Sequence, residues 1–127
     1  MPKSADRAFA AFGAILAGMG VAAGAFGAHG LKGWLTPEML AVFETGVRYH
    51  LIHALGLLAV AWAATRWASA SIRAAGWLFV VGILLFSGSL YAMCLTGVRT
   101  LGAITPIGGV AFIAGWLCLA WGAWRGR

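Results

Sequence analysis

Apolar residues run through this chain in four long blocks, separated by short segments that hold most of its charges. The first block, residues 8–28, has no charged residue in 21 positions. At 1.5 Å per residue, a helix of that length measures about 32 Å. A hydrocarbon core is about 30 Å thick, so the block can cross it. Residues 47–65, 74–95 and 106–124 form blocks of similar length, and none alternates polar with apolar as a membrane β-strand does. The pattern predicts an all-α membrane protein: one domain, 1–127, built as a four-transmembrane-helix bundle.

The segment between the first two blocks is the longest connection. Gly30 and Gly33 break the first helix, and Thr36-Pro37-Glu38 reads as a new start. Thr36 is placed to cap, Pro37 suits the first helical position, and Glu38 sits at the positive end of the dipole. A helix from Pro37 through Thr65 would measure about 43 Å, so it should project beyond the membrane or bend near Gly46. Met39, Leu40, Val42 and Phe43 make its opening turns a short amphipathic helical segment before the second span. Such a segment lies on the membrane surface or caps the bundle.

Composition narrows the picture further. The chain is 62% hydrophobic and 9% charged, too oily to cover a soluble globule with polar surface and too apolar to be disordered. Its net charge of +6 does not form a stripe of the kind nucleic acid requires. Instead Lys3, Arg7, Arg66, Arg73, Arg125 and Arg127 flank the apolar blocks on the side that four crossings give to both termini. Lys32 and Arg99 fall on the other side, with Arg48 at a helix entrance. The excess places the amino and carboxyl termini on the cytoplasmic side. Trp67, Trp77, Trp121 and Trp124 fall near that face and Trp34 near the other, as interfacial anchors do. The first block has the basic start of a signal peptide, but its apolar stretch exceeds the usual 7–15 residues, so it reads as a retained span.

Small residues trace two seams. Ala10, Gly13, Ala17, Gly20, Gly24 and Gly27 recur along the first span, and Gly108, Ala111, Gly115, Cys118 and Gly122 along the fourth. Small residues let helix backbones approach closely in lipid. The seams predict that the first and fourth spans are both central to the bundle. Each seam packs within the chain or faces a second copy or a larger inner-membrane complex. Cys94 and Cys118 show no C-x-x-C spacing and read as small apolar residues.

The costly residues lie in and around the second span, and intramembrane ionisable groups are candidate functional sites. Glu44 and Arg48 are one turn apart and able to pair. Thr45, Tyr49 and His53 form an adjoining stripe, with His50 about 60° from His53 on the helical wheel. His29, Tyr91, Cys94 and Arg99 end neighbouring spans on the same outer side. The candidate polar cluster is therefore His29, Glu44, Arg48, Tyr49, His50, His53 and Tyr91. It can fix the helix ends, line a path for protons, ions or a small solute, or hold a metal or haem on His29, His50 and His53. Against the last, Glu44 points away from the histidines and the E-x-x-H spacing of di-iron bundles is absent. Against the second, no span looks interrupted at mid-membrane and the other leaflet has almost no polar lining. Ser87 and Ser89 lack a G-x-S-x-G context. No catalytic residue, metal ligand or cofactor is assigned.

Gly24-Ala25-Phe26-Gly27-Ala28-His29-Gly30-Leu31, then Phe43-Glu44-Thr45-Gly46-Val47-Arg48-Tyr49-His50 and His53-Ala54, carry a family likeness. So do Phe86-Ser87-Gly88-Ser89-Leu90-Tyr91, Thr105-Pro106-Ile107-Gly108-Gly109 and Gly115-Trp116. Over nearly its whole length the chain resembles a domain-of-unknown-function family of small membrane proteins that includes bacterial YgdD and YwdK. A mitochondrial-type transmembrane protein of animals is similar. The resemblance implies a four-helix inner-membrane protein and points to His29, Glu44, Gly46, Tyr49 and His53, but supplies no substrate, reaction or cofactor. The expected role is that of a non-enzymatic accessory, assembly or structural component, partnered by the bilayer and by a second copy or a larger complex. A reporter fused after Arg127 should read as cytoplasmic, and one inserted in the 30–36 connection should not; the opposite pair of readings would reverse the orientation.

Overall fold

A computed structural model describes residues 2–126, with side chains from Ser4 onward; Arg127 and the side chain of the predicted topology signal Lys3 lie outside the described residues. Four helical spans are long and apolar enough to cross a membrane: Ser4–Gly30, Pro37–Arg66, Ala70–Thr96 and Arg99–Arg125. They form an antiparallel bundle, and no sheet occurs among the described residues. Its outer flanks are apolar, with Ile15, Leu55, Leu84, Val110 and Leu117 all well exposed. An exposed apolar surface of that extent is suited to lipid.

The local signals act as their chemistry requires. Thr36 caps the second span by accepting a hydrogen bond from the Met39 N–H at 3.2 Å, with Pro37 at the first helical position. The helix then runs as one unbroken α-helix through Gly46 to Arg66. Its opening turns cap the bundle rather than lying on the surface: Phe43 is buried in a small cluster with Leu31, Val47 and Cys94. The third span begins earlier than the charge at Arg73 suggested, because Ser69 caps it through the Ile72 N–H at 3.2 Å. That span also contains a feature absent from the sequence pattern, a single π turn at Ile83–Ser87 between Ala70–Gly82 and Gly88–Thr96. A second π turn, Phe26–Gly30, ends the first span. Gly97, at φ 75°, then closes the third span in the left-handed conformation that glycine adopts without steric cost.

The expected centrality of the first and fourth spans is corrected. The second span is the hub: 56% of its most apolar stretch is buried, against 17% for the first span and 22% for the fourth. The first span packs along the second, the fourth along the third, and the second and third join the two pairs. The glycines still act as close-contact points, but toward this chain's own helices. A Cβ at Gly13 would lie 2.9 Å from the Ala54 carbonyl oxygen, at Gly24 3.3 Å from Val47, and at Gly27 2.9 Å from the Phe43 ring. Across the molecule, a Cβ at Gly108 would collide with the Phe86 backbone, at Gly115 with the Phe79 ring and at Gly122 with Ile72. Both seams are filled from within. The core between them centres on Phe9, Leu57, Val60, Ile72, Phe79 and Phe112.

Gly108 faces backbone that cannot swing aside, whereas a Cβ at Gly18 would meet nothing within 4 Å. Gly108→Ala should therefore lower the unfolding free energy in detergent by about 1–3 kcal/mol, the usual cost of overpacking. Gly18→Ala, in open space within the first helix, should leave it unchanged or raise it by up to about 1 kcal/mol, since alanine is the better helix former. Thermal unfolding of the two variants checks the contrast; equal stability would mean the fourth span does not sit this close to the third.

Candidate functional site

The second span places its polar side chains along one helix, and the structure divides them into three groups. His50 and Tyr91 are inside the bundle. The His50 Nε2–H donates to the Leu16 carbonyl of the first span at 2.7 Å, and Nδ1 meets the Tyr91 hydroxyl of the third span at 2.9 Å. A carbonyl can only accept, so Nε2 carries the proton and, in the neutral ring, Nδ1 accepts from Tyr91. Gly20 makes this bond possible: a Cβ there would lie 3.4 Å from His50 Cδ2 and closer still to Leu51. One imidazole thus ties three spans together.

His53 turns to the fourth span instead. Its Nδ1–H donates to the Tyr49 carbonyl at 2.7 Å, and its Nε2 accepts from the Trp116 indole N–H at 3.0 Å. An indole can only donate, so Nε2 is unprotonated and His53 is the opposite tautomer to His50. The ring stacks on Phe112, centroids 3.5 Å apart and planes 8° from parallel, with the Phe79 edge 5.3 Å away. Tyr49, Phe86, Phe112 and Trp116 wall a recess of about 440 Å³ beside it, open on the flank between the second and fourth spans. The Tyr49 hydroxyl forms no hydrogen bond among the described residues, and the residue is 38% exposed.

The remaining predicted members stand apart. Glu44, Arg48 and His29 are exposed. The Glu44–Arg48 pair that the spacing allows does not form; the ion pair found among the described residues is Arg99–Glu38, at 3.9 Å and well exposed. The three histidines do not converge either. Each ring in the second span turns to a different neighbour, and no group of three His, Cys, Asp or Glu side chains among the described residues could hold a metal ion. The cluster expected at one end of the bundle is really two separate bonded sites and an exposed rim.

Other polar groups act as interhelix connectors that sequence reasoning missed. Ser87, wholly buried in the π turn, donates to the Gly46 carbonyl at 2.7 Å. Ser89 and Thr105 join the third and fourth spans at 2.6 Å, and Ser71 donates to the Cys118 carbonyl at 2.6 Å near the other end. The Cys94 thiol reaches the Met39 carbonyl at 3.3 Å. No periodicity links His53 to Trp116, 63 residues away; the available hint was Phe112 and Trp116 one turn apart on the fourth span.

Residues 23–109 match a family described as "Protein of unknown function (DUF423)". They include both histidine sites except Phe112 and Trp116 on the fourth span, and Leu16 on the first. The chain belongs to this family. Among its relatives is the UPF0382 membrane protein YwdK of Bacillus subtilis, 51% identical over 89% of this chain and 93% of that protein. UPF0382 membrane proteins of Staphylococcus haemolyticus and Staphylococcus saprophyticus are 48% and 47% identical, the latter over 94% of this chain and 98% of its own length. No solved structure matches the chain. As a DUF423 protein it is a membrane protein with a four-helix fold, consistent with the names of these relatives.

If His50 is a connector, its energy is shared with Tyr91. A double-mutant cycle of His50→Phe and Tyr91→Phe should give a coupling of about 0.6–1.7 kcal/mol in detergent unfolding, the range of interhelical hydrogen bonds in membranes. Additive effects would show that the two groups do not interact.

Proposed function

We propose that this chain is a non-enzymatic accessory component of an inner-membrane protein complex. In this reading both termini are cytoplasmic, and the chain receives one transmembrane helix of its partner against the recess beside His53. The observation that carries the reading is the Tyr49 hydroxyl. It stands about 18 Å along the second span from Pro37, at 1.5 Å per residue, at the edge of a largely apolar recess and with no acceptor among the described residues. An unsatisfied hydroxyl in a lipid-facing wall is costly, and a partner helix offering a carbonyl or hydroxyl oxygen at that depth removes the cost. The recess walls, Ile52, Phe86, Phe112 and Ile113, provide the apolar contact around it.

Two further observations support an accessory role over transport. His50, His53, Ser87 and Ser89 each spend their polar atoms on bonds inside the bundle. Glu44 and Arg48, the charges a conduction path would use, lie on the exposed side of the second span. The glycine seams, filled by this chain's own helices, are not offered to a partner.

A photocrosslinking residue in place of Ile52 or Ile113, in native membranes, should yield a discrete adduct that maps to an apolar helix of another protein. Tyr49→Phe should reduce that adduct severalfold, while the same probe in place of Ala14, on the exposed side of the first span, should give none. Adducts to lipid alone, or to a second copy of this chain alone, would overturn the proposal.

A further inference from the structure

At the end of the bundle that carries both termini, a second hollow of about 280 Å³ opens between the last turn of the second span, the turn that follows it and the last turn of the fourth span. Arg66, Trp67, Ser69, Trp121 and Arg125 line it. Neither arginine forms an ion pair among the described residues. Each guanidinium is instead held near an indole: Arg66 with its Cζ 5.9 Å from the Trp62 ring, Arg125 with its Cζ 5.4 Å from the Trp121 ring. Trp62 in turn meets Trp67 edge to face at 5.4 Å. The two cations are therefore braced by an aromatic frame and, among the described residues, left without an anion.

The floor of the hollow is suited to the same charge. Ser69 accepts from the Ile72 N–H and so begins the third span, leaving its own hydroxyl hydrogen available. The N–H groups of the first helical turn that follow have no partner within their helix, and they favour negative charge. Backbone closeness shapes the walls: a Cβ at Gly126 would run into the Trp67 ring, and one at Gly122 would lie 3.3 Å from Ser69 Oγ. Of the acidic groups, Asp6 faces a different hollow with Arg7 and Thr65, and Glu38 and Glu44 belong to the opposite end of the second span.

We infer that this hollow binds the phosphodiester headgroup of an anionic phospholipid. The shared chemistry is a phosphate oxygen set, and the surroundings select the lipid form of it. Trp121 and Trp124 stand exposed, 58% and 86%, beside the hollow, at the level where interfacial tryptophans meet headgroups. A lipid phosphate can occupy the hollow while its acyl chains run down the apolar flank of the fourth span past Leu117. Basic pockets between membrane helices recognise acidic headgroups in this way.

The test uses the full chain in neutral detergent. Native mass spectrometry counts retained lipid after addition of phosphatidylglycerol or phosphatidylcholine, and thermal unfolding is followed with each lipid and with inorganic phosphate alone. Phosphatidylglycerol should be retained and should raise the unfolding temperature, while phosphatidylcholine and inorganic phosphate should not. Arg66→Gln and Arg125→Gln should each reduce phosphatidylglycerol retention by roughly fivefold. Arg73→Gln, which removes the same charge at the same end but outside the hollow, should leave retention unchanged. Helical content by circular dichroism confirms that each variant is folded; should Arg66→Gln not fold, Arg125→Gln, at the end of the last helix, carries the test. Equal loss with Arg73→Gln, equal retention of phosphatidylcholine, or the full effect from inorganic phosphate would each overturn the inference.

Discussion

The hydrogen bond from His50 to the Leu16 carbonyl is the constraint on which the rest of the bundle depends. In hydrocarbon, helices gain little from burying apolar surface against one another, so close packing and interhelical polar contacts must supply the association. An imidazole can reach a backbone carbonyl of a neighbouring helix only if the two helices nearly touch. Gly20 permits that approach, and Gly13, Gly24 and Gly27 keep the same spacing along the interface. Fixing the ring on that side directs its other nitrogen to Tyr91, which brings in the third span. One side chain therefore sets the mutual position of three of the four helices.

The remaining contacts extend the same logic. Ser87 uses the π turn of the third span to reach the Gly46 carbonyl, four residues before His50. π turns of this kind often coincide with functional positions, and here the turn carries a buried hydroxyl to a bonded partner. His53 ties the second span to the fourth through Trp116, so the hub contacts all its neighbours with polar as well as apolar groups. Each individual bond is modest, about 0.6 kcal/mol on average in membranes. Their value is positional, since each fixes the rotation of a helix that lipid alone would leave free.

Much of the fold was legible in the sequence because it follows from length and hydropathy. Four uninterrupted apolar blocks allow four crossings, and Thr36-Pro37 marks the start of the second span as its capping chemistry requires. The seams were also visible, since glycine at helical spacing has few other uses in lipid. Their direction was not. Gly20 reads the same whether it faces Leu51 or a foreign helix, and so the sequence pattern puts the first and fourth spans at the centre, whereas in the structure they lie on the flanks. The π turn at 83–87 left no trace either, because its residues are as apolar as the helix around them.

The candidate site was half legible. Composition identified His50, His53, Tyr49 and Tyr91 as costly residues that need partners, and the structure supplies partners for three of them. Grouping them with Glu44, Arg48 and His29 failed because residues close along a helix can leave it on different sides, and the partner helices decide which sides are interior. The two histidines are connectors, each locked by its neighbours into a different form. Solid-state ¹⁵N spectra of the histidine rings in lipid test this most directly. They should show His50 protonated at Nε2 and His53 at Nδ1; the same tautomer at both positions, or a mixture at either, would contradict it.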